Sequence, residues 1–187
     1  MAEQGQQDMS APKQSSLSIF YSSLDTVIAA VVCVVLIFTF LFRTVGVSGD
    51  SMLPTLQNGE RLLITSLGTQ PQYGDIVVVI QPDRPQQPLI KRVIATEGQT
   101  VDIDFLSGIV YVDGAPLEEP YTNAPTFEDY GGQFPQVVPK GHVFVMGDNR
   151  NASTDSRNPR VGMVDIRNIL GKVFIRFFPI SRFGRVS

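Results

Sequence analysis

The chain of 187 residues carries one cysteine, Cys33, one histidine, His142, and four lysines, Lys13, Lys91, Lys140 and Lys172, against eleven arginines. A single cysteine closes no intramolecular disulfide and builds no thiolate zinc cluster, and a single histidine excludes a multi-histidine metal cage. No metal and no cofactor is expected. Chemistry here has to come from hydroxyls, carboxylates, guanidiniums and a few amines.

Three segments concentrate such groups. The first, Ser48-Gly49-Asp50-Ser51-Met52-Leu53-Pro54-Thr55-Leu56, has the composition of a polar turn. The second is Leu89-Ile90-Lys91-Arg92-Val93-Ile94. Alternation along a strand puts Lys91 on one face with Leu89 and Val93, and Ile90 with Arg92 on the other. A lysine so placed either snorkels to solvent or is desolvated, and desolvation lowers its pKa because burial disfavours the charged form. The third runs Met146-Gly147-Asp148-Asn149-Arg150-Asn151-Ala152-Ser153-Thr154-Asp155-Ser156-Arg157. It reads as a loop of Asx turns and arginine–carboxylate pairs after an apolar strand. Such a loop serves as a scaffold and can hold a reactive group at a fixed orientation.

The elements that must position these segments are β-strands. From Thr44 onward glycine and proline recur so often that the longest stretch free of both is Asp148–Asn158, which excludes long helices. Between them lie short β-branched runs at 61–65, 75–80, 89–96, 100–105, 109–112, 143–146 and 172–178. Val101, Ile103 and Phe105 alternate with Asp102 and Asp104, and Ser107-Gly108 and Asp113-Gly114 supply the turns of a β-meander. One short helix is expected over Val164–Leu170, and Pro82–Pro88 reads as a surface loop.

The segment before Thr44 is different. Val27–Phe42 holds sixteen consecutive uncharged residues with a single hydroxyl, Thr39, and is followed by Arg43. With Leu24–Thr26 it reaches the roughly 20 residues of a membrane-spanning helix. The first 26 residues hold only Lys13 as a base, and no Ala-x-Ala follows the run, so an uncleaved anchor fits better than a removed signal. The expected organisation is a disordered tail over 1–18, a transmembrane anchor over 19–43 and a β-rich domain over 44–187, with 97–141 as a smaller β subdomain. Net charge is −3, which argues against nucleic acid as a partner. Glu97–Gly147 carries eight acids against one base, and Asp148–Ser187 eight bases against three acids.

In this order, behind one anchor, the three segments resemble the boxes of type I signal peptidases, a family of membrane-bound Ser/Lys endopeptidases. Gly-Asp-Ser-Met-x-Pro-Thr, Lys-Arg-Val and Gly-Asp-Asn-Arg-x-x-Ser-x-Asp-Ser-Arg carry the likeness. Tyr73–Val78, Tyr111–Gly114, Leu117–Tyr121, Gly171-Lys172 and Phe178–Gly184 extend it. The resemblance implies a mainly β, antiparallel catalytic domain of the signal-peptidase and LexA-like type behind one N-terminal transmembrane helix.

By the same resemblance Ser51 is the nucleophile, Lys91 the general base, Ser153 the hydroxyl that orients the lysine, and Asp155 with Arg157 the ion pair that holds the loop. The pairing has physical sense of its own. A serine hydroxyl needs an adjacent base, and a desolvated lysine can replace histidine. An ordinary lysine, of pKa about 10.4, is neutral in only about one molecule in 2,500 at pH 7. Reaching about 7 takes roughly 5 kcal/mol of differential stabilisation, for which Leu89, Val93 and Met52 are the available apolar neighbours. His142 belongs to none of the boxes. The Ser51 backbone N–H would hold the oxyanion. Gly49 stands where certain family members have a serine, which leaves Ser48, a backbone group or a water as the second donor.

The family's substrates are exported preproteins with small residues at −1 and −3, added as a strand. Val45, Val47, Met52, Leu56, Leu89 and Ile90 would line the pockets. The implied setting is the plasma (inner) or thylakoid membrane, with the catalytic domain on the outward face and with lipid and the export channel as further partners. Two other readings fit parts of the chain. A self-cleaving Ser/Lys regulator of the repressor type needs a DNA-binding head where the apolar run lies. A non-enzymatic anchored β-module leaves the gathering of Ser51, Lys91 and Ser153 without purpose.

Overall fold

The structure is a computed structural model that describes residues 16–65 and 70–186. The chain divides into two units, residues 1–40 and residues 41–187. In the first, α1 spans Ser16–Leu41. Of the tail expected over 1–18, residues 1–15 lie outside the described residues. Among the described residues no helix is long and apolar enough to cross a membrane. The side chains of Ile37, Phe38, Phe40 and Leu41, which belong to the apolar run in the sequence, lie outside that set.

The described residues of the second unit form eleven strands: β1 (Phe42–Gly46), β2 (Arg61–Thr65), β3 (Ile76–Gln81), β4 (Arg84–Thr96), β5 (Thr100–Asp104), β6 (Ile109–Val112), β7 (Ala115–Pro116), β8 (Gln136–Val137), β9 (His142–Met146), β10 (Val164–Asp165) and β11 (Ile169–Phe178). They form a seven-stranded sheet in the order β1-β2-β11-β3-β4-β9-β10 and a four-stranded sheet in the order β7-β6-β5-β8. The strand pairs among the described residues are antiparallel. The mainly β, antiparallel expectation is met.

Two elements differ from the sequence reading. Val164–Leu170 is not a helix. Val164 and Asp165 pair with Val143 and His142, a three-residue 3-10 turn follows at Ile166–Asn168, and β11 begins at Ile169. The Asp165 carboxylate accepts the Arg167 backbone N–H and caps the start of the turn, which ends where Ile169 returns to extended backbone. Pro82–Pro88 is exposed as expected, yet Arg84–Pro88 is extended and belongs to β4. Pairing with β3 is irregular between Val79 and Gln81, and β9 reaches only Arg92–Thr96. The two prolines thus fall on a locally unpaired edge that asks no ladder N–H of them.

Three apolar clusters hold the unit together. Ile94, Ala95, Phe144 and Met146 of the large sheet pack with Val101, Ile103, Val110 and Val112 of the small one. Val47, Met52 and Leu56 pack with Leu62, Ile64, Ile76, Val78 and Ile90. Val77, Val79, Val93, Val143, Val145 and Val164 form the third. The Met52–Leu56 turn is therefore anchored in a core, although it is polar at its rim.

Candidate active site

β4 carries Lys91 into the interior. Its ladder partner is Val77, and its alternate neighbours Leu89 and Val93 pack in the same apolar cluster as Val77. Lys91 is 2% exposed. Its Nζ donates a 2.7 Å hydrogen bond to Ser51 Oγ across forty residues of chain. Burial draws its pKa down from 10.5 to about 8. Asp155 and Asp148 pull the other way, and Arg157 adds to the lowering.

Ser51 is delivered by the turn that follows β1. Val47 N–H donates to Glu60 O and Gly59 N–H to Val47 O, so the chain leaves and re-enters the sheet at one point. Gly49 turns it with φ at +85°, a conformation open to glycine at no steric cost. Leu53 N–H donates to Asp50 O and Leu56 N–H to Met52 O, closing two successive turns around Ser51. The Ser51 C=O accepts Asn149 N–H at 3.0 Å, and Asn149 Nδ2 donates to Asp50 O at 3.1 Å. The loop after β9 thus grips the Ser51 segment through its backbone.

That loop is fixed by buried ion pairs. Asp155 and Arg157, both without exposure, pair at 2.8 Å, and Asp155 Oδ2 also accepts Gly147 N–H. The Arg157 guanidinium donates to Glu128 O and Arg150 O and lies 4.8 Å from the Tyr130 ring centroid. Arg150 pairs with Glu119 and donates to Gly147 O. Gly147 has no room for a side chain. A Cβ there would lie 2.2 Å from Ser153 Oγ and 2.4 Å from Ser51 O. Ser153 is buried, and its Oγ has no hydrogen-bond partner among the described residues. The structure therefore brings Ser51, Lys91, Ser153, Asp155 and Arg157 into one neighbourhood. It joins Ser51 to Lys91 directly and leaves the Ser153 hydroxyl beside them unpaired.

A groove of about 410 Å³ opens at the pair. It is lined by Val47, Met52, Leu89 and Ile90, with Ser48, Gly49 and the Gln86–Pro88 stretch along its walls. Two residues expected in the pockets lie elsewhere. Leu56 is fully buried in the core beneath the turn, because its place one turn after Met52 points it inward, so it packs rather than binds. Val45 packs against the same cluster and is not among the lining residues. His142 Nδ1 donates to Lys140 O at 2.9 Å, and the residue lines a separate cavity with Arg160 and Asp165. Among the described residues no cluster suited to a metal ion occurs.

A family profile described as signal peptidase, peptidase S26, matches residues 21–178. The chain belongs to this family. It is 40% identical over 188 residues to a probable signal peptidase I-1 of Synechocystis, covering 95% of this chain and 92% of that one. It is 37% identical over 191 residues to a signal peptidase I of Bacillus licheniformis, covering 97% and 99%. A crystal structure of a signal peptidase I from Enterococcus faecalis matches at 31% identity and a TM-score of 0.45, over 56% of this chain and 97% of that one. As an S26 family member the chain is a serine endopeptidase that acts as a signal peptidase.

Several residues of the family site carry no role in the sequence reading. Arg92, next to Lys91, is 2% exposed and holds Asp148 through two bonds of 2.8 and 2.7 Å. It also lies 4.0 Å from the Tyr121 ring centroid. Thr55 donates from its hydroxyl to Asp148 at 2.5 Å. These residues stand inside the quoted boxes, so the only signal in the sequence is their place in them.

Proposed function

We propose that this chain cleaves signal peptides from exported preproteins with Ser51 as nucleophile and Lys91 as general base. The observation that carries the proposal is the 2.7 Å contact between a nearly unexposed lysine and a serine at the edge of a groove. Neutral Lys91 takes the proton of the Ser51 hydroxyl as Oγ attacks the scissile carbonyl carbon. The tetrahedral oxyanion is received by the Ser51 backbone N–H, which has no hydrogen-bond partner among the described residues. Ser48, on the groove wall, is our candidate for the second donor. As the C–N bond breaks, the Lys91 ammonium returns the proton to the departing amine of the mature protein, leaving an ester on Ser51. Lys91 then deprotonates a water that attacks the ester, freeing the signal peptide and restoring Ser51.

In this reading the unpaired Ser153 hydroxyl receives the ammonium while Lys91 is charged, and Asp155 with Arg157 keeps the loop in place. The groove accepts the substrate as an added strand, and the apolar side chains of Val47, Met52, Leu89 and Ile90 admit only small residues at −1 and −3. We further assign residues 19–43 as the single membrane anchor, on the uncharged run Val27–Phe42. Val27, Ile28, Val31, Val32, Val34 and Val35 are all exposed along α1. The catalytic domain, 44–187 with 97–141 as its smaller β part, then faces the outward side, with lipid and the export channel as neighbours.

Ser51→Ala and Lys91→Ala should each abolish cleavage of a preprotein carrying Ala at −3 and −1, with circular dichroism unchanged. Normal turnover by either folded variant refutes the pair.

A further inference from the structure

Beyond the reacting pair, the far end of the nucleophile turn is gripped from two sides at a single residue. Thr55 is partly buried, and its hydroxyl donates to Asp148 Oδ2 at 2.5 Å. Its backbone C=O accepts Arg176 Nη1–H at 3.1 Å and Arg182 Nη2–H at 3.5 Å. Both arginines are also tied to Glu60, a carboxylate only 2% exposed: Arg182 Nη1 lies 2.6 Å from it and Arg176 Nη1 3.3 Å. Glu60 in turn accepts Gln57 N–H just after the turn. The terminal stretch is held to β11 by paired backbone bonds between Arg176 and Gly184.

The Asp148 end closes a circuit with the reacting groups. Asp148 is bound by Arg92, whose neighbour on β4 is Lys91. Asn149, next to Asp148, holds the Ser51 C=O. Lys91 and Ser51 meet at 2.7 Å. A shift of the turn relative to β4 would open that contact, and in the reaction a displacement of about 1 Å costs about 10²-fold. Ser51 lies on a loop, so its placement needs support that the sheet ladder does not supply.

We propose that Thr55 is a positioning residue for the Ser51–Lys91 pair, its hydroxyl fixing the turn to the Arg92–Asp148 bridge and its carbonyl fixing it to the Arg176–Arg182–Glu60 clamp. The proposal rests on the assignment of Ser51 and Lys91 as the reacting pair. It assigns the Phe178–Gly184 segment a part in catalysis through position alone, since none of its residues lines the groove.

The test uses the full chain in detergent with a synthetic signal-peptide substrate carrying Ala at −3 and −1. Thr55→Val keeps the shape of the side chain and removes the donor, whereas Thr55→Ser keeps the donor. The expected result is a kcat at least tenfold lower for Thr55→Val, a KM within twofold of the parent, and a kcat restored to within about threefold by Thr55→Ser. An unchanged kcat in Thr55→Val overturns the proposal. So does an equal loss in both variants, which would mean the hydroxyl is not the group that matters. If Thr55→Val does not fold, Arg176→Lys carries the test, since it keeps the charge and loses the fork. A kcat lowered at least threefold at unchanged KM supports the clamp, and an unchanged kcat overturns it. Ser51→Ala is measured alongside: turnover in that variant removes the underlying pair, a failure distinct from a silent Thr55→Val with Ser51→Ala dead.

Discussion

Lys91 folds into a site that draws its pKa from 10.5 down to about 8, and the same desolvation that would arm it as the proposed base weakens the fold. Between pH 8 and 10.5 the unfolded chain binds the proton more than the native one does, so stability rises with pH across that window. Below pH 8 the full penalty applies, about 3 kcal/mol for a shift of this size. Lys91→Met should therefore be inactive and more stable at pH 7 by up to about that amount, the gain fading between pH 8 and 10.5. Urea titration at pH 7 and pH 11 checks this, and equal or lower stability of the variant at pH 7 contradicts it. Gly147→Ala is expected to lower stability and activity together. The new Cβ would press on Ser153 and on the Ser51 carbonyl, and kcat should fall by more than tenfold. At this scale the sequence shows the types and the order of the residues proposed to react. The circuit through Thr55, Asp148 and Arg92 is hidden from it, because the hydroxyl and the carboxylate are 93 residues apart and only the sheet order brings them together.

Strands were legible wherever β-branched residues alternate or run together between turn signals, as at Val101–Ile103 and Val77–Val79. Two places misled for identifiable reasons. Val164–Leu170 lacks glycine and proline and so reads as helix, but pairing with β9 before it and with β3 after it confines it to one turn. Arg84–Pro88 has two prolines and reads as loop, but an edge without a second partner tolerates them. The loop after β9 is the element with most at stake in buried charge. Removing one member of the Asp155–Arg157 pair leaves the other buried and unpaired, which costs about 3–5 kcal/mol. Asp155→Ala should accordingly lower the melting temperature sharply. The pair of Arg167 with Asp165, whose guanidinium is exposed to solvent, should matter far less. Thermal unfolding of Asp155→Ala and Asp165→Ala side by side decides it, and equal melting temperatures would contradict the account.

For the whole molecule, the division at residues 40 and 41 separates a 26-residue helix from the β unit that holds the site. The proposed anchor predicts that the full chain floats with phosphatidylcholine–phosphatidylglycerol vesicles in a density gradient and resists extraction by carbonate. Recovery in the aqueous fraction would remove the anchor and leave the site untouched. The anchor was read from hydropathy alone. The site needed residues from the turn after β1, from β4 and from the loop after β9, a convergence that order along the chain suggests and only the folded sheets supply. The reaction proposed for the assembled molecule depends on one buried amine losing its proton near neutrality, and the dependence of kcat/KM on pH reads that event directly. With a pKa of about 8, kcat/KM should rise roughly tenfold from pH 7 to pH 9 and then level. A flat profile across that interval, or a rise that begins only near the ordinary lysine pKa, would contradict Lys91 as the base.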